Sequence, residues 1–203
     1  MRLDCLMAGV GGQGTVLASK LLAQAAICAG AFARTSETIG MAQRGGSVAS
    51  HVRIGEGAAS PLIPEGGADL IIGFEPSEAV RNLRYLKPGG RCIVAADPVA
   101  PVTASLGQGN YDVKKMLRFL QRQVAELRIV DAAALSALAG SPKTRNLILL
   151  GVALGEGWLG LPQEAIVQAI QIGMPEKLWQ INCRALELGM DYKMHNGRCE
   201  ATW

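Results

Sequence analysis

Aromatic side chains make up only 4% of this sequence, and no basic run interleaves with them. With a net charge of just +3, the chain offers neither the stacking platforms nor the electrostatic footprint of a nucleic-acid binder. Charge of either sign is also thin, Asp, Glu, Lys and Arg together reaching 18%. So few charges point to a surface partly covered by a partner subunit, and a homodimer of the chain in isolation meets the same expectation.

Cysteine is present but scattered, at positions 5, 28, 92, 183 and 199, an odd number with no close pair. That spacing excludes a CxxC zinc site and an iron–sulfur run, and fits free thiols in a reducing cytoplasm. The two histidines, His51 and His195, have no catalytic partner in sequence. His51 falls out of phase with Val48, Val52 and Ile54 and reads as a structural histidine on the other face of its strand. No Ser/His/Asp pattern, paired-carboxylate motif or metal constellation is visible. The longest apolar run, residues 147–154, is interrupted by Gly151 and falls far short of the roughly 20 residues that span a bilayer. Residues 3–10 are too short for the apolar part of a signal peptide, so no membrane contact and a cytoplasmic location are expected.

What is present is an apolar content of 49% over 203 residues. A domain of that size buries roughly 70% of its unfolded surface. Residues 3–8 (LDCLMA) read as a buried strand, and Val16, Leu17, Leu21, Leu22, Ala25 and Cys28 recur at helical spacing before Gly30. Residues 31–35 fit a short second strand, and 47–54 (SVASHVRI) alternate as a half-exposed antiparallel strand near an edge. Residues 69–74, a helix opening at Pro76 and closed by KPGG at 87–90, and a strand over 91–95 form one strand–helix–strand unit. A surface loop is expected over 97–110, then a helix capped by Asp112, a strand over 127–130 and a helix begun by Asp131. Helices over 146–154, 162–172 and 175–188, the last stopped by Gly189, complete the chain. These elements predict an α/β class: one domain over 1–203, a three-layer Rossmann-like fold. Its sheet is mostly parallel with an antiparallel edge strand, and its C-terminal third is helical.

Between the first strand and helix lies Gly9-Val-Gly11-Gly12-Gln13-Gly14, which satisfies G-x-G-x-x-G in the context a dinucleotide site needs. Glycines admit a pyrophosphate close to the backbone, and the helix N-terminus supplies free N–H groups. The ribose-holding acid is harder to find: the candidate, Glu37, stands in SETIG, which reads as loop. A P-loop is excluded because Thr15 occupies the place of the phosphate-binding lysine. A tight turn packed against protein satisfies the same spacing. A second signal, residues 36–54 (SETIGMAQRGGSVASHVRI), sets Arg44 beside Gly45 and Gly46, where a guanidinium can fork onto a carboxylate or phosphate.

Taken in order, GVGGQGTVLASKLLAQAA, SETIGMAQRGGSVASHVRIG, ADLIIGFEPSEAVRNL and SPKTRNLILLGVALG resemble the gamma subunits and gamma domains of the 2-oxoacid:ferredoxin oxidoreductases. The likeness is nearest to the separate beta subunits of the indolepyruvate enzymes. It implies a holoenzyme that oxidatively decarboxylates 2-oxoacids, pyruvate or indolepyruvate and other arylpyruvates, to acyl-CoA with ferredoxin as electron acceptor. It further implies that thiamine diphosphate, Mg and iron–sulfur clusters reside in a larger partner subunit. On that reading this chain is inactive alone and coenzyme A meets it at the interface. The residues matching the motifs at the partner- or ligand-facing edge are Gly9, Gly11, Gly12, Gln13, Gly14, Arg44, Gly45 and Gly46. Two other readings stay open, a stand-alone NAD(P)-binding Rossmann enzyme and a ligand-free interaction module.

Overall fold

The computed structural model describes residues 1–40, 45–56, 60–99 and 111–192. Arg44, His195, Cys199 and most of the loop expected over 97–110 lie outside the described residues. Within them, β1 (Leu3–Val10), β2 (Ala33–Ile39), β3 (Ser47–Ile54), β4 (Ala68–Gly73), β5 (Leu86–Ala95) and β6 (Glu126–Val130) form one sheet in the order β2-β3-β1-β4-β5-β6. β1, β4, β5 and β6 pair in parallel, and β3 runs antiparallel to both β1 and β2. The mostly parallel sheet with an antiparallel edge is thus present. β3 itself is less exposed than its alternation suggested, because β2 takes the outermost place and Val48, Ser50, His51, Val52 and Ile54 are all buried.

Two-residue alternation divides the core. Cys5 and Met7 of β1, Leu70 and Ile72 of β4 and Ile93 of β5 face one layer; Leu6, Ile71 and Cys92 face the other. The first layer holds α1 (Thr15–Cys28), α4 (Ala132–Ala139), α5 (Arg145–Gly155), α6 (Gln163–Gly173) and α7 (Trp179–Met190). The second holds α2 (Pro76–Asn82) and α3 (Val113–Gln123), which pack Ala79, Leu117 and Leu120 on Val94. Helices on both faces explain why β1 is buried along its whole length and reads as a continuous apolar run.

Three local expectations need correction. β2 continues through SETI to Ile39, so Glu37 lies in a strand and not in a loop; pairing with β3 supplies the backbone partners that its polar sequence does not advertise. KPGG does not stop α2, which ends at Asn82. Those residues belong to β5, where Ala68 pairs with Leu86 but Leu70 with Arg91, so 87–90 bulge out of the ladder. Gly189 lies inside α7 and does not end it. A Cβ there would collide with the Ile148 carbonyl oxygen, and one at Gly151 of α5 with that of Leu186. These glycines let α5 and α7 touch backbone to backbone. His51 is the structural histidine expected: it is buried, its Nδ1 accepts the Ile63 N–H at 3.1 Å, and its ring meets Tyr85 edge-on.

Candidate functional site

The chain leaves β1 for α1 on one face of the sheet and leaves β4 for α2 on the other. Between the carboxyl ends of these neighbouring parallel strands the fold reverses direction, which is where open α/β sheets form their ligand crevice. The glycine turn stands at this point. Gln13 spans the crevice, its Oε1 accepting the Val10 N–H at 2.9 Å and its Nε2 donating to the Phe74 carbonyl at 3.0 Å. A Cβ on Gly9 would lie 2.8 Å from each of Gln13 Oε1, Phe74 Cβ and Thr15 Oγ1. The closest backbone approach in the motif is therefore made to protein. Gly14 is the N-cap of α1 with φ 80°, a conformation glycine adopts without strain, and the Asn146 amide packs against it. Gly12 faces outward, with no atom within 4 Å of where its Cβ would stand.

The two sequence motifs meet here. Gly11 N–H donates to the Gly46 carbonyl at 2.9 Å, joining the glycine turn to the start of β3. Ser47, the next residue, donates its hydroxyl to Glu78 Oε2 at 2.6 Å, which ties the same segment to α2. Gly9, Gly11, Gly12, Gln13, Gly14, Gly45 and Gly46 thus gather at one end of the sheet, whereas Arg44 lies outside the described residues.

Several residues at this end escaped the sequence reading. Glu75 is wholly buried as the N-cap of α2, its Oε2 accepting the Glu78 N–H at 3.0 Å and the Ser77 hydroxyl. Burial pushes its carboxyl above the usual range, against the pull of those two donors. The E-P-S-E string was a legible signal, a proline at the first helical position between two glutamates. Asp97, half-buried past β5, accepts the Ala133 N–H at 2.9 Å; burial raises its carboxyl and the Arg145 guanidinium opposes that rise. Thr15 Oγ1, Glu75 Oε1, Arg145 Nε and Asn146 Oδ1 are all buried without a hydrogen-bond partner. Ser50 Oγ and Tyr111 OH are in the same condition.

Cofactor fit divides by chemistry. Cys5 and Cys92 lie on opposite faces of the sheet, and burial pushes the Cys92 thiol up to about 12, so neither is a ready thiolate ligand. Among the described residues no three His, Cys, Asp or Glu side chains gather as metal ligands. Glu37 does not serve a dinucleotide ribose either. It pairs with Ser50, which in turn pairs with Met7, so a whole strand separates it from β1 and its level falls short of the glycine turn. Its carboxylate reaches the Ser19 hydroxyl of α1 instead. No helix among the described residues is long and apolar enough to cross a membrane.

An open, doubly wound sheet with a glycine turn at its reversal point defines a Rossmann-like α/β protein. Residues 4–192 match the family model described as pyruvate ferredoxin/flavodoxin oxidoreductase, and the chain belongs to that family. It is 39% identical over 189 residues to the indolepyruvate oxidoreductase subunit IorB of Thermococcus kodakarensis, covering 92% of this chain and 94% of the relative. Its fold is shared with the pyruvate oxidoreductase subunit PORC of Thermotoga maritima, at a TM-score of 0.69, 22% identity and coverage of 93% and 95% of the two chains. A 2-oxoglutarate:ferredoxin oxidoreductase from Magnetococcus marinus, solved with 2-oxoglutarate, coenzyme A and succinyl-CoA bound, contains the same fold. There the TM-score is 0.67 at 17% identity, over 93% of this chain and 30% of that one.

Proposed function

We propose that this chain is the subunit without redox cofactors of a 2-oxoacid:ferredoxin oxidoreductase acting on indolepyruvate and related arylpyruvates. The observation that carries the reading is the 39% identity, across nearly the full length of both chains, to a protein named as a subunit of indolepyruvate oxidoreductase. Thiamine diphosphate with Mg and iron–sulfur clusters, held by a larger partner subunit, supply the decarboxylation and the one-electron path to ferredoxin. Among the described residues Cys5 and Cys92 are buried on opposite faces of the sheet and Cys28 and Cys183 are half-buried, a scatter that does not fit a cluster, and no step is assigned to them.

The chain's own contribution is an edge. Gly11, Gly12, Gln13, Gly14, Gly45 and Gly46, with Arg44, form the edge that meets the partner and the coenzyme A entering between the two chains, and Gly9 packs beneath that edge. Exposed Leu17 in the first turn of α1 and Ile39 at the end of β2 add apolar contact at this end. The Magnetococcus marinus enzyme, solved with coenzyme A bound, supports the choice of ligand. Co-expression with a thiamine-dependent subunit and purification through a tag on that subunit tests the assignment. A stoichiometric complex is expected, and recovery of the tagged subunit alone would contradict it. In the complex, Arg44→Ala is expected to weaken coenzyme A use about ten- to hundredfold, the loss of one charge-assisted contact of roughly 1.5–3 kcal/mol. Unchanged kinetics would remove Arg44 from the edge.

A further inference from the structure

The sheet has two edges, and the chain treats them differently. At β6 the Val130 carbonyl accepts the Ala96 N–H, so Val130 faces β5 and the alternate residues Leu127 and Ile129 turn their backbone groups outward. Both outward carbonyls are occupied by side chains. Ile129 accepts the Tyr192 hydroxyl at 2.7 Å, and Leu127 accepts Arg128 Nη1 at 3.2 Å. Glu156 holds Arg128 in place, taking its Nε and Nη2 at 2.8 Å each, and the guanidinium stands 5.1 Å from the centre of the Trp158 ring. A short, side-chain-capped strand is the usual protection against a further strand.

β2, at the other edge, lacks this protection. Gly55 N–H donates to the Phe32 carbonyl and Gly40 N–H to the Ser47 carbonyl, both at 2.8 Å, so the even-numbered residues of β2 face β3. The N–H and C=O groups of Ala33, Thr35, Glu37 and Ile39 therefore point away from the sheet, and no other described strand or helix takes them. The strand pairs with β3 without a slip over its seven residues, and it contains no proline and no bulge. Large apolar side chains stand exposed around it, Phe32 just before it, Ile39 at its end and Ile27 on α1, the helix whose Ser19 meets Glu37. An edge this long and regular is a template for one more strand.

The strand that fits this edge is its own copy. Across a two-fold axis outward residues must meet outward residues, which leaves few registers. Centred on Ser36, Ala33 meets Ile39 and Thr35 meets Glu37, so all four outward residues of each strand are used. At the alternate positions Arg34 meets Thr38 and Phe32 meets Gly40. Ile39 and Phe32 thus face alanine and glycine, and no like charges stand opposite. A centre on Glu37 would set that carboxylate against its own copy, and a centre on Thr35 would leave Ile39 unpaired. We propose that two copies of this chain join β2 to β2, antiparallel about Ser36, into one continuous sheet. The seam runs along the side of the sheet, separated from β1 and its glycine turn by β3, and leaves the carboxyl end to the larger subunit.

Sedimentation equilibrium and cross-linking of the free full-length chain test the seam. A dimer is expected at micromolar concentration. Thr35→Pro removes an N–H that β3 does not use and, folded by circular dichroism, should weaken the dimer by about tenfold or more. Ser36 takes a non-hydrogen-bonded position across the axis, where Cα atoms lie about 4.5 Å apart, within disulfide reach. Ser36→Cys should therefore give a disulfide-linked dimer with oxidised glutathione as the two-electron acceptor, while the wild type and Thr38→Cys, whose copies stand several residues apart, do not. A monomer at high micromolar concentration, a Thr35→Pro dimer as tight as wild type, or equal cross-linking of the Ser36 and Thr38 variants would overturn the seam. A monomeric chain whose Thr35→Pro variant loses the larger subunit would assign the edge to that subunit and overturn it too. Should Thr35→Pro not fold, the cysteine pair decides alone. Failure here leaves the tag-purification result untouched, so the two readings fall separately.

Discussion

Gln13 shows how one side chain can tie a glycine turn to the neighbouring strand. Its two hydrogen bonds tie the glycine turn to the residue that follows β4, and it satisfies the amide of Val10, a buried residue. Gln13→Ala should therefore destabilise the chain by about 1–3 kcal/mol, the cost of a buried N–H left without an acceptor. Urea denaturation reads this as a lower midpoint at constant slope. An unchanged midpoint would mean that water replaces the amide and that the crevice is open.

His51 gives a second test at the same scale. Its Nδ1 accepts the Ile63 N–H, so the neutral ring is the one that fits, and burial lowers its pKa below the usual imidazole value. The unfolded chain then binds more protons as pH falls through the ordinary imidazole range, and stability falls with it, below about pH 6.5. In His51→Asn, whose amide oxygen can accept the same N–H, stability between pH 7 and 5 should vary less than in the wild type. A pH dependence identical to wild type would place the titrating group elsewhere.

At the scale of elements, α5 and α7 depend on glycine for contact and not for a turn. Gly151→Ala should set a methyl group into the Leu186 carbonyl and force the helices apart, at the upper end of the roughly 1–3 kcal/mol typical of overpacked cores, or beyond it. Thermal unfolding measures the loss, and a melting temperature equal to wild type would show that the helices separate without cost. The example also shows what sequence can convey. The continuous apolar run of β4, the helix of α1 and the helices begun by Asp112 and Asp131 were legible because burial and capping leave local marks, although Leu17 of the apolar set read for α1 is exposed. KPGG and Gly189 were misread because a bulge and a helix contact use the same residue as a helix stop, and only the neighbouring element distinguishes them. The polar β2 was only half seen, since its partner β3 follows it in the chain and supplies the pairing.

The site was legible to a similar degree. Both glycine motifs were visible as strings, but that Gly11 bonds to Gly46 is a fact of tertiary structure. Asn146 and Arg145 stood unnoticed at the head of an apolar helix, since nothing local reveals that the helix opens against α1.

For the whole molecule, the low charge and the dispersed thiols are, on the proposed reading, marks of one subunit of a larger enzyme. Oxidative decarboxylation needs a sink for the electron pair left on the substrate carbon and a wire that carries electrons singly, and the account assigns both to the partner. The most direct measurement is 2-oxoacid- and coenzyme A-dependent reduction of a viologen dye under anaerobic conditions. It compares the purified chain, the thiamine-dependent subunit and the complex of the two. The account predicts indolepyruvate-dependent turnover by the complex and none by this chain alone; dye reduction by the isolated chain, or an inactive but fully loaded complex, would contradict it.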